Sequence, residues 1–387
     1  MKWALVGPVY PYRGGIAHYT TRLYRTLVER EPAHAEAVLL VSFRRQYPPW
    51  LFPGSDDRDP SRSPLRPQTA HYWLDSLNPL TWWTTAQRIA RWQPDLLVLQ
   101  WWTSFWTPVW LALLMGRRLA GGGPVAIICH NVLPHEARPW DRLAARLVLG
   151  QATGCIVHTE AEQARLAALL PTARIEVIPH PVYDHFAGPG PDATAARQAL
   201  GLPASGPLLL FFGMVREYKG LDDLLAALPV ARAALPDLHL VVAGDFWGNL
   251  DHYRRQAHAL DVAAAVSFHD RYVPDEEVPL YFAAADLLVA PYRRATGSGV
   301  MQTARGLGTP VIATDVTLPS AAARDDWTGG FVPPNDPAAL AEAIIAFFRN
   351  PSQPIHRAAP QAVDASWTAL AGALLRAAGL MERQTIC

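Results

Sequence analysis

Residues 291–316 read PYRRATGSGVMQTARGLGTPVIATDV. Gly297, Ser298 and Gly299 form a glycine-rich turn behind the apolar run 286–291. Val300 to Leu307 then has helix-compatible composition until Gly308 and Pro310 stop it, and an apolar strand follows. Strand, turn, helix and strand in this order belong to an α/β layer. The unpaired amides and positive dipole end of such a helix suit an anion, a phosphate above all. An ordinary connection between strands would read the same way, so the rest of the chain has to decide.

Working outward, the second half repeats the alternation. Strands are expected at 208–212, 238–243, 266–269 and 287–290, with helices at 221–228, 253–259 and 276–283. The first half does likewise, with strands at 3–6, 37–41, 95–99, 125–129 and 154–158 and a first helix at 16–28. The fold class is therefore α/β, two Rossmann-like doubly wound domains in tandem, with a cleft expected between them at the carboxyl ends of the strands. The expected boundaries are an N-terminal domain over 1–185, a linker over 186–206, a C-terminal domain over 207–358, and a C-terminal helical stretch, 359–387, that packs back on the first domain. Residues 44–68, rich in Pro, Arg, Ser and Asp, read as a long surface loop.

Composition sets limits. At 387 residues the chain suits two domains with separate cores. Lys plus Arg and Asp plus Glu both number 34, which argues against nucleic acid as a partner. The three cysteines, Cys129, Cys155 and Cys387, lack metal-ligand or redox spacing, and a reduced, cytoplasmic setting is expected. The N-terminus lacks the pattern of a signal peptide, and no apolar run is long enough to span a bilayer.

Three clusters stand at strand ends. Gly14 and Gly15 follow the first strand and would let a phosphate or sugar approach the backbone, or serve only the turn. In CHNVLPHE, His130 and Asn131 follow the strand 125–129, with His135 and Glu136 beyond. His130 either meets a substrate hydroxyl or caps the strand. In FFGMVREYKGLDDLL, Gly213 closes a strand, and Arg216 and Lys219 flank the next turn. Two cations there would complement a diphosphate, or be solvated. Trp101, Trp102, Phe105, Trp106 and Trp110, followed by Arg117 and Arg118, fit core packing, or a groove for a lipid-linked sugar. Arg138, Arg142 and Arg146 would line one face of a helix at 138–149, either solvated or facing anionic headgroups, so peripheral membrane contact is an open reading.

FFGMVREYKGLDDLL, VVAGDFW, VPLYFAAADLLVAPY, GLGTPVIATDV and FVPPNDPAALAEAI, in this order and spacing, resemble the nucleotide-sugar-binding half of the family 4 glycosyltransferases, retaining enzymes of the GT-B fold. PYRGGIAHYT and the strand ending at His130 resemble the corresponding N-terminal parts. The resemblance implies a transferase moving a sugar from a nucleoside diphosphate sugar to a hydroxyl of a saccharide or lipid-linked acceptor, with retention. It implies Lys219 on the donor diphosphate, His130 at the transferred sugar and Gly15 in the loop approaching the diphosphate. The family arginine after the glycine is here Met214, leaving Arg216 as substitute. Two family glutamates fall at Ala295 and Thr303, where neither is acidic; Thr296, Ser298 and Gln302 are the nearby polar groups. The expected set is His130, Arg216 and Lys219 for catalysis and Gly14, Gly15, Gly213, Gly297, Ser298, Gly299, Val300 and Thr303 for the donor, with no metal and no cofactor. A scaffold that has lost catalysis and a sugar-nucleotide epimerase are the rival readings.

Overall fold

The computed structural model describes residues 1–30, 36–48, 50–51, 56–134, 138–186, 191–247, 249–294, 297–317, 328–350 and 360–381. The chain forms two compact units. One comprises Met1–Asp59, Leu65–Pro181 and Asp364–Cys387; the other comprises Pro60–Pro64 and Val182–Val363.

The strands of the first unit are β1 (Trp3–Val6), β2 (Val38–Arg45), β3 (His71–Asp75), β4 (Leu96–Trp101), β5 (Val125–Cys129), β6 (Gly154–Val157) and β7 (Ile175–Val177). They form one parallel sheet in the order β3-β2-β1-β4-β5-β6-β7. The crossover helices are α1 (Gly15–Arg30), α2 (Pro79–Trp92), α3 (Thr107–Leu119), α4 (Pro139–Leu149) and α5 (Glu160–Leu169). Strands β4 and β5 are apolar almost throughout and buried along their whole length, as parallel strands covered on both faces must be. Trp101, Trp106 and Trp110 are fully buried in the core beside Phe43, so of the two readings of the aromatic run, packing holds for these three rings.

The second unit starts with α6 (Ala193–Ala199), inside the stretch read as a linker. Arg197 ties it down by donating to the Ala284 carbonyl and to Asp286, each at 2.9 Å. Then come β8 (Leu208–Phe212), α7 (Leu221–Ala234), β9 (His239–Gly244), α8 (Leu250–Ala259), β10 (Val266–Asp270), α9 (Val278–Ala284), β11 (Leu287–Ala290), α10 (Gly299–Leu307), β12 (Val311–Thr314), β13 (Thr328–Val332) and α11 (Pro337–Arg349). This sheet is also parallel, in the order β10-β9-β8-β11-β12-β13. Each unit is thus a doubly wound, Rossmann-like layer. The strand order reverses beside β1 in the first unit and beside β8 in the second, and ligands of open α/β sheets bind at such switch points.

The last helix, α12 (Pro360–Ala377), belongs to the first unit. Trp367 is fully buried, its ring 5.2 Å from that of Tyr19 on α1. The backbone of Ala377 lies where a side chain on Gly154 would stand, so only glycine lets β6 and this helix approach so closely. Strands β3, β7 and β13 lie beyond the sequence expectation; β7 is only three residues long and β3 is half exposed, which leaves little pattern to read.

Candidate functional site

In the second unit the switch point gathers groups from three connections. Gly213 follows β8 with φ 90, a conformation open to glycine at little cost. A short 3-10 turn, Glu217–Lys219, carries Lys219 back to it, and Nζ lies 3.4 Å from where a Cβ on Gly213 would stand; Val300 Cγ2 lies 3.3 Å from the same point. Three expected residues, Gly213, Lys219 and Val300, therefore meet. Lys219 is only 8% exposed, and no carboxylate pairs with it among the described residues. Burial, and then the neighbouring Arg216, bring its pKa down to about 8. The Arg216 guanidinium rests over the Trp247 ring, 4.6 Å from its centroid. Tyr292, just past β11, places its ring 5.6 Å from the ammonium and hydrogen-bonds Ser298.

Ser298 caps α10, its side chain accepting from the Met301 amide at 3.3 Å. The helix begins at Gly299, one residue before the expected start, so the Gly299 and Val300 amides belong to its first turn. Gly297 precedes it with φ 134. Thr303 is buried and donates its hydroxyl to the Gly299 carbonyl at 3.0 Å, so its hydrogen is engaged within the helix. Gln302 Oε1 is buried with no hydrogen-bond partner among the described residues. Ala295 and Thr296 lie outside the described residues. The neighbouring acids are engaged: Asp223 holds Arg293 through two hydrogen bonds of 2.8 and 2.9 Å, and Asp222 meets His252 at 2.6 Å.

The first unit builds a different kind of site. Gly14, with φ 107, and Gly15 lead into α1, and nothing lies within 4 Å of a Cβ placed on either, so the backbone there is open to approach. Neighbouring strands β4, β5, β6 and β7 end close to Gln100, His130, His158 and His180. His130 Nε2 lies 2.5 Å from Gln100 Oε1. His158 Nδ1 donates to the Ile178 carbonyl at 2.9 Å, and its Nε2 is buried without a partner among the described residues. The His158 ring lies 6.0 Å from His130 and 5.1 Å from His180, and Tyr19 touches all three, with centroids at 4.8, 5.5 and 5.3 Å. Desolvation dominates here. It holds His130 well below the usual imidazole range, with the like charges of His158 and His180 adding to it, and lowers His158 to about 4 and His180 to about 3. All three rings are neutral at pH 7.

Beyond His130, the Val132 amide donates to the buried carboxylate of Glu162 at 2.6 Å, which anchors the connection. His135 and Glu136 lie outside the described residues. Gln100, His158, His180 and Tyr292 were not expected. His158 directly follows the apolar strand β6 as His130 follows β5, and that signal would have found it, whereas Gln100 lies inside β4 and His180 stands three residues past β7.

The comparisons with known proteins follow the two units. Residues 14–181 match the family described as Glycosyl transferase 4-like domain, and residues 206–350 match Glycosyl transferases group 1. The chain is 32% identical over 248 residues to a D-inositol 3-phosphate glycosyltransferase of Mycolicibacterium gilvum, covering 62% of this chain and 55% of that protein. It spans about half the length of the curated relatives it matches. Sucrose-phosphate synthase from Thermosynechococcus elongatus has the same fold, with a TM-score of 0.66, 20% identity and coverage of 98% of both chains. Anabaena HepE in complex with UDP-glucose aligns with a TM-score of 0.66 at 17% identity, over 98% of this chain and 97% of that one. With one glycosyltransferase family matched in the first half, another in the second, and two Rossmann-like sheets beneath them, the chain belongs to the GT-B glycosyltransferases.

Proposed function

We propose that the chain transfers a sugar from a nucleoside diphosphate sugar to a hydroxyl of a saccharide or lipid-linked acceptor, with retention, in the cytoplasm. The observation that carries this reading is Lys219, a buried ammonium with no carboxylate partner among the described residues, beside Gly213 and the first turn of α10. A buried cation without a counter-ion is poised for an anionic ligand. The HepE structures with UDP and with UDP-glucose, and relatives named D-inositol 3-phosphate glycosyltransferase, support a nucleotide-sugar donor and a hydroxyl acceptor.

In the proposed reaction Lys219, Arg216 and the α10 amides stabilise the charge that develops on the departing diphosphate. His130 orients the transferred sugar, Gly14 and Gly15 leave room beside the diphosphate, and the acceptor hydroxyl attacks on the face the diphosphate leaves. Met214 and Thr303 in place of family charges shift nucleotide preference without removing this machinery. Calorimetry against UDP, GDP and ADP, followed by mass analysis of products from the donor that binds, tests the reading. If none of the three binds, the scaffold reading replaces it; product formed without acceptor would point to the epimerase.

For the acceptor, one observation favours a lipid-linked sugar. On α4, Trp140, Leu143 and Leu147 are about half exposed, interleaved with the exposed Arg138, Arg142 and Arg146. A merely solvated face has no use for three large apolar side chains, whereas an anionic bilayer surface takes both kinds. No helix among the described residues is long and apolar enough to cross a membrane. Co-sedimentation with anionic vesicles, lost in Trp140→Ser and Arg142→Ser, is expected; equal recovery without vesicles would sink this choice of acceptor.

A further inference from the structure

Gln100 is a polar side chain within the apolar strand β4 and is completely buried. Its amide has two partners: Nε2 lies 2.7 Å from Thr20 Oγ1, and Oε1 lies 2.5 Å from His130 Nε2. Where the hydrogens sit follows from the far end of this series of bonds. Thr20 Oγ1 is 2.8 Å from the Ile16 carbonyl oxygen, which can only accept, so the hydroxyl donates its single hydrogen there. The hydroxyl oxygen must then accept from Gln100, which requires the amide nitrogen to face it. The amide oxygen is left facing His130, and it can only accept. Nε2 of His130 therefore carries a hydrogen, whichever way an amide of this shape is first drawn.

The relay is held from outside as well. A Cβ on Gly7, just past β1, would stand 2.9 Å from Thr20 Oγ1 and 3.1 Å from Gln100 Nε2, so glycine at this position leaves room for the pair. The edge of Tyr19 packs against the His130 ring at 4.8 Å and 87°. No carboxylate faces His130 among the described residues; its ionisable neighbours are His158 on β6's exit and His180 on β7's exit, together with Tyr19. The ring is neutral, half-buried, and its Nδ1 has no partner among the described residues.

We infer that Gln100 is a positioning residue: through Thr20 and the Ile16 carbonyl it fixes His130 as the Nε2–H tautomer, so that Nδ1 meets the ligand as a hydrogen-bond acceptor. An acceptor nitrogen selects a hydroxyl, which has a hydrogen to give, and rejects a phosphate oxygen, which has none. His130 in this form is suited to the sugar end of the donor rather than to the diphosphate. This inference rests on the proposed placement of His130 at the transferred sugar.

Spectra of the full chain with isotope-labelled histidine read the tautomer without any turnover, with His130 assigned by its disappearance in His130→Asn. Near pH 7 the wild type is expected as the neutral Nε2–H form. Gln100→Leu removes the acceptor and should shift His130 toward the Nδ1–H form or a mixture, whereas Gln100→Glu keeps an acceptor and should keep Nε2–H. Gly7→Ala displaces the pair from the other side and should act in the same direction as Gln100→Leu, which secures the test should the leucine variant fold poorly. An Nδ1–H ring in the wild type, or an unchanged spectrum in both Gln100→Leu and Gly7→Ala, overturns the inference. In sugar transfer, Gln100→Leu should lower kcat by about 10- to 100-fold, by analogy with the hydrogen-bond partners that orient metal-binding histidines, with nucleotide affinity nearly unchanged and partial recovery in Gln100→Glu. A tautomer that moves while transfer does not would leave the relay standing and remove His130 from the sugar, so the two failures are distinct.

Discussion

In the second unit the groups gathered at the switch point are largely main chain: the turn after β8, the amides opening α10, and one ammonium brought in by a 3-10 turn. In the first unit they are side chains, with Gln100, His130, His158 and His180 set near the ends of neighbouring strands and the three histidines packed around Tyr19. Both sheets reverse their strand order at the corresponding place, so the difference does not come from topology. On the proposed function it comes from what each site has to recognise. A phosphate asks for positive potential in a small space, which amides supply without regard to sequence. A sugar asks for directed hydrogen bonds, which only particular side chains in particular protonation states supply.

If that contrast is sound, the second site should hinge on one charge. Lys219→Ala should lower sugar transfer by more than about a hundredfold and weaken nucleotide binding by about 1.5–3 kcal/mol, with the circular dichroism spectrum unchanged. Near-normal transfer in this variant would leave the contrast without its cationic half.

Acid should expose the first site instead. His158 is 2% exposed, and its folded pKa of about 4 lies below its unfolded value near 6.5. Above pH 6.5 neither state binds the proton and stability is untouched. As pH falls from 6.5 toward 4 only the unfolded chain takes it up, which removes roughly 3 kcal/mol by pH 4 from this residue alone. Most of the fourteen tryptophans lie in the first unit, so fluorescence-detected melting reports on it. A melting point independent of pH down to 4.5 would contradict the buried, neutral histidines. His158→Gln should flatten part of the slope.

Alkali should sharpen the comparison from the other side. Lys219 loses its proton above about pH 8, so nucleoside diphosphate affinity should fall as pH rises, approaching about tenfold per pH unit when the charged form alone binds. Calorimetry across pH 7 to 9.5 reads this, and a flat profile would assign the diphosphate elsewhere. The smallest effect is expected from Thr303→Val. Its hydroxyl hydrogen already goes to Gly299, so nucleotide affinity should change by no more than about 1 kcal/mol; a larger loss would mean that the hydroxyl serves the ligand.

How far these sites could be read in advance follows from the same contrast. The alternation of strands and helices, and glycine turns such as Gly213 and Gly297–Gly299, leave a local imprint, because a backbone site is made by consecutive residues. Lys219 was legible for the same reason, standing six residues past Gly213. Gln100 was not. The expected strand stopped at 99, whereas β4 runs to Trp101, and the partner of Gln100 is thirty positions away, just past the neighbouring strand β5. His158 read as the last residue of a strand, and His180 as the start of a linker; only the order β4-β5-β6-β7 sets them beside His130. Single-strand patterns show where a strand ends but carry no record of which ends are neighbours. The aromatic run was open for a related reason, since Trp106 and Trp110 owe their burial to α3 lying over Phe43 of β2.

The return of α12 to the first unit bears on how the chain is made. Arg376 reaches Glu176 across 200 positions, and Trp367 fills the place beside Tyr19. At a synthesis rate of about 5–20 residues per second, the first sheet leaves the ribosome on the order of ten seconds before the helix that covers it. Through that interval Tyr19 and the start of β6 face the cell without their lid, while the second unit can finish folding from its own residues. Newly made chains should therefore be most vulnerable to aggregation and to chaperone capture through a surface that the finished protein conceals.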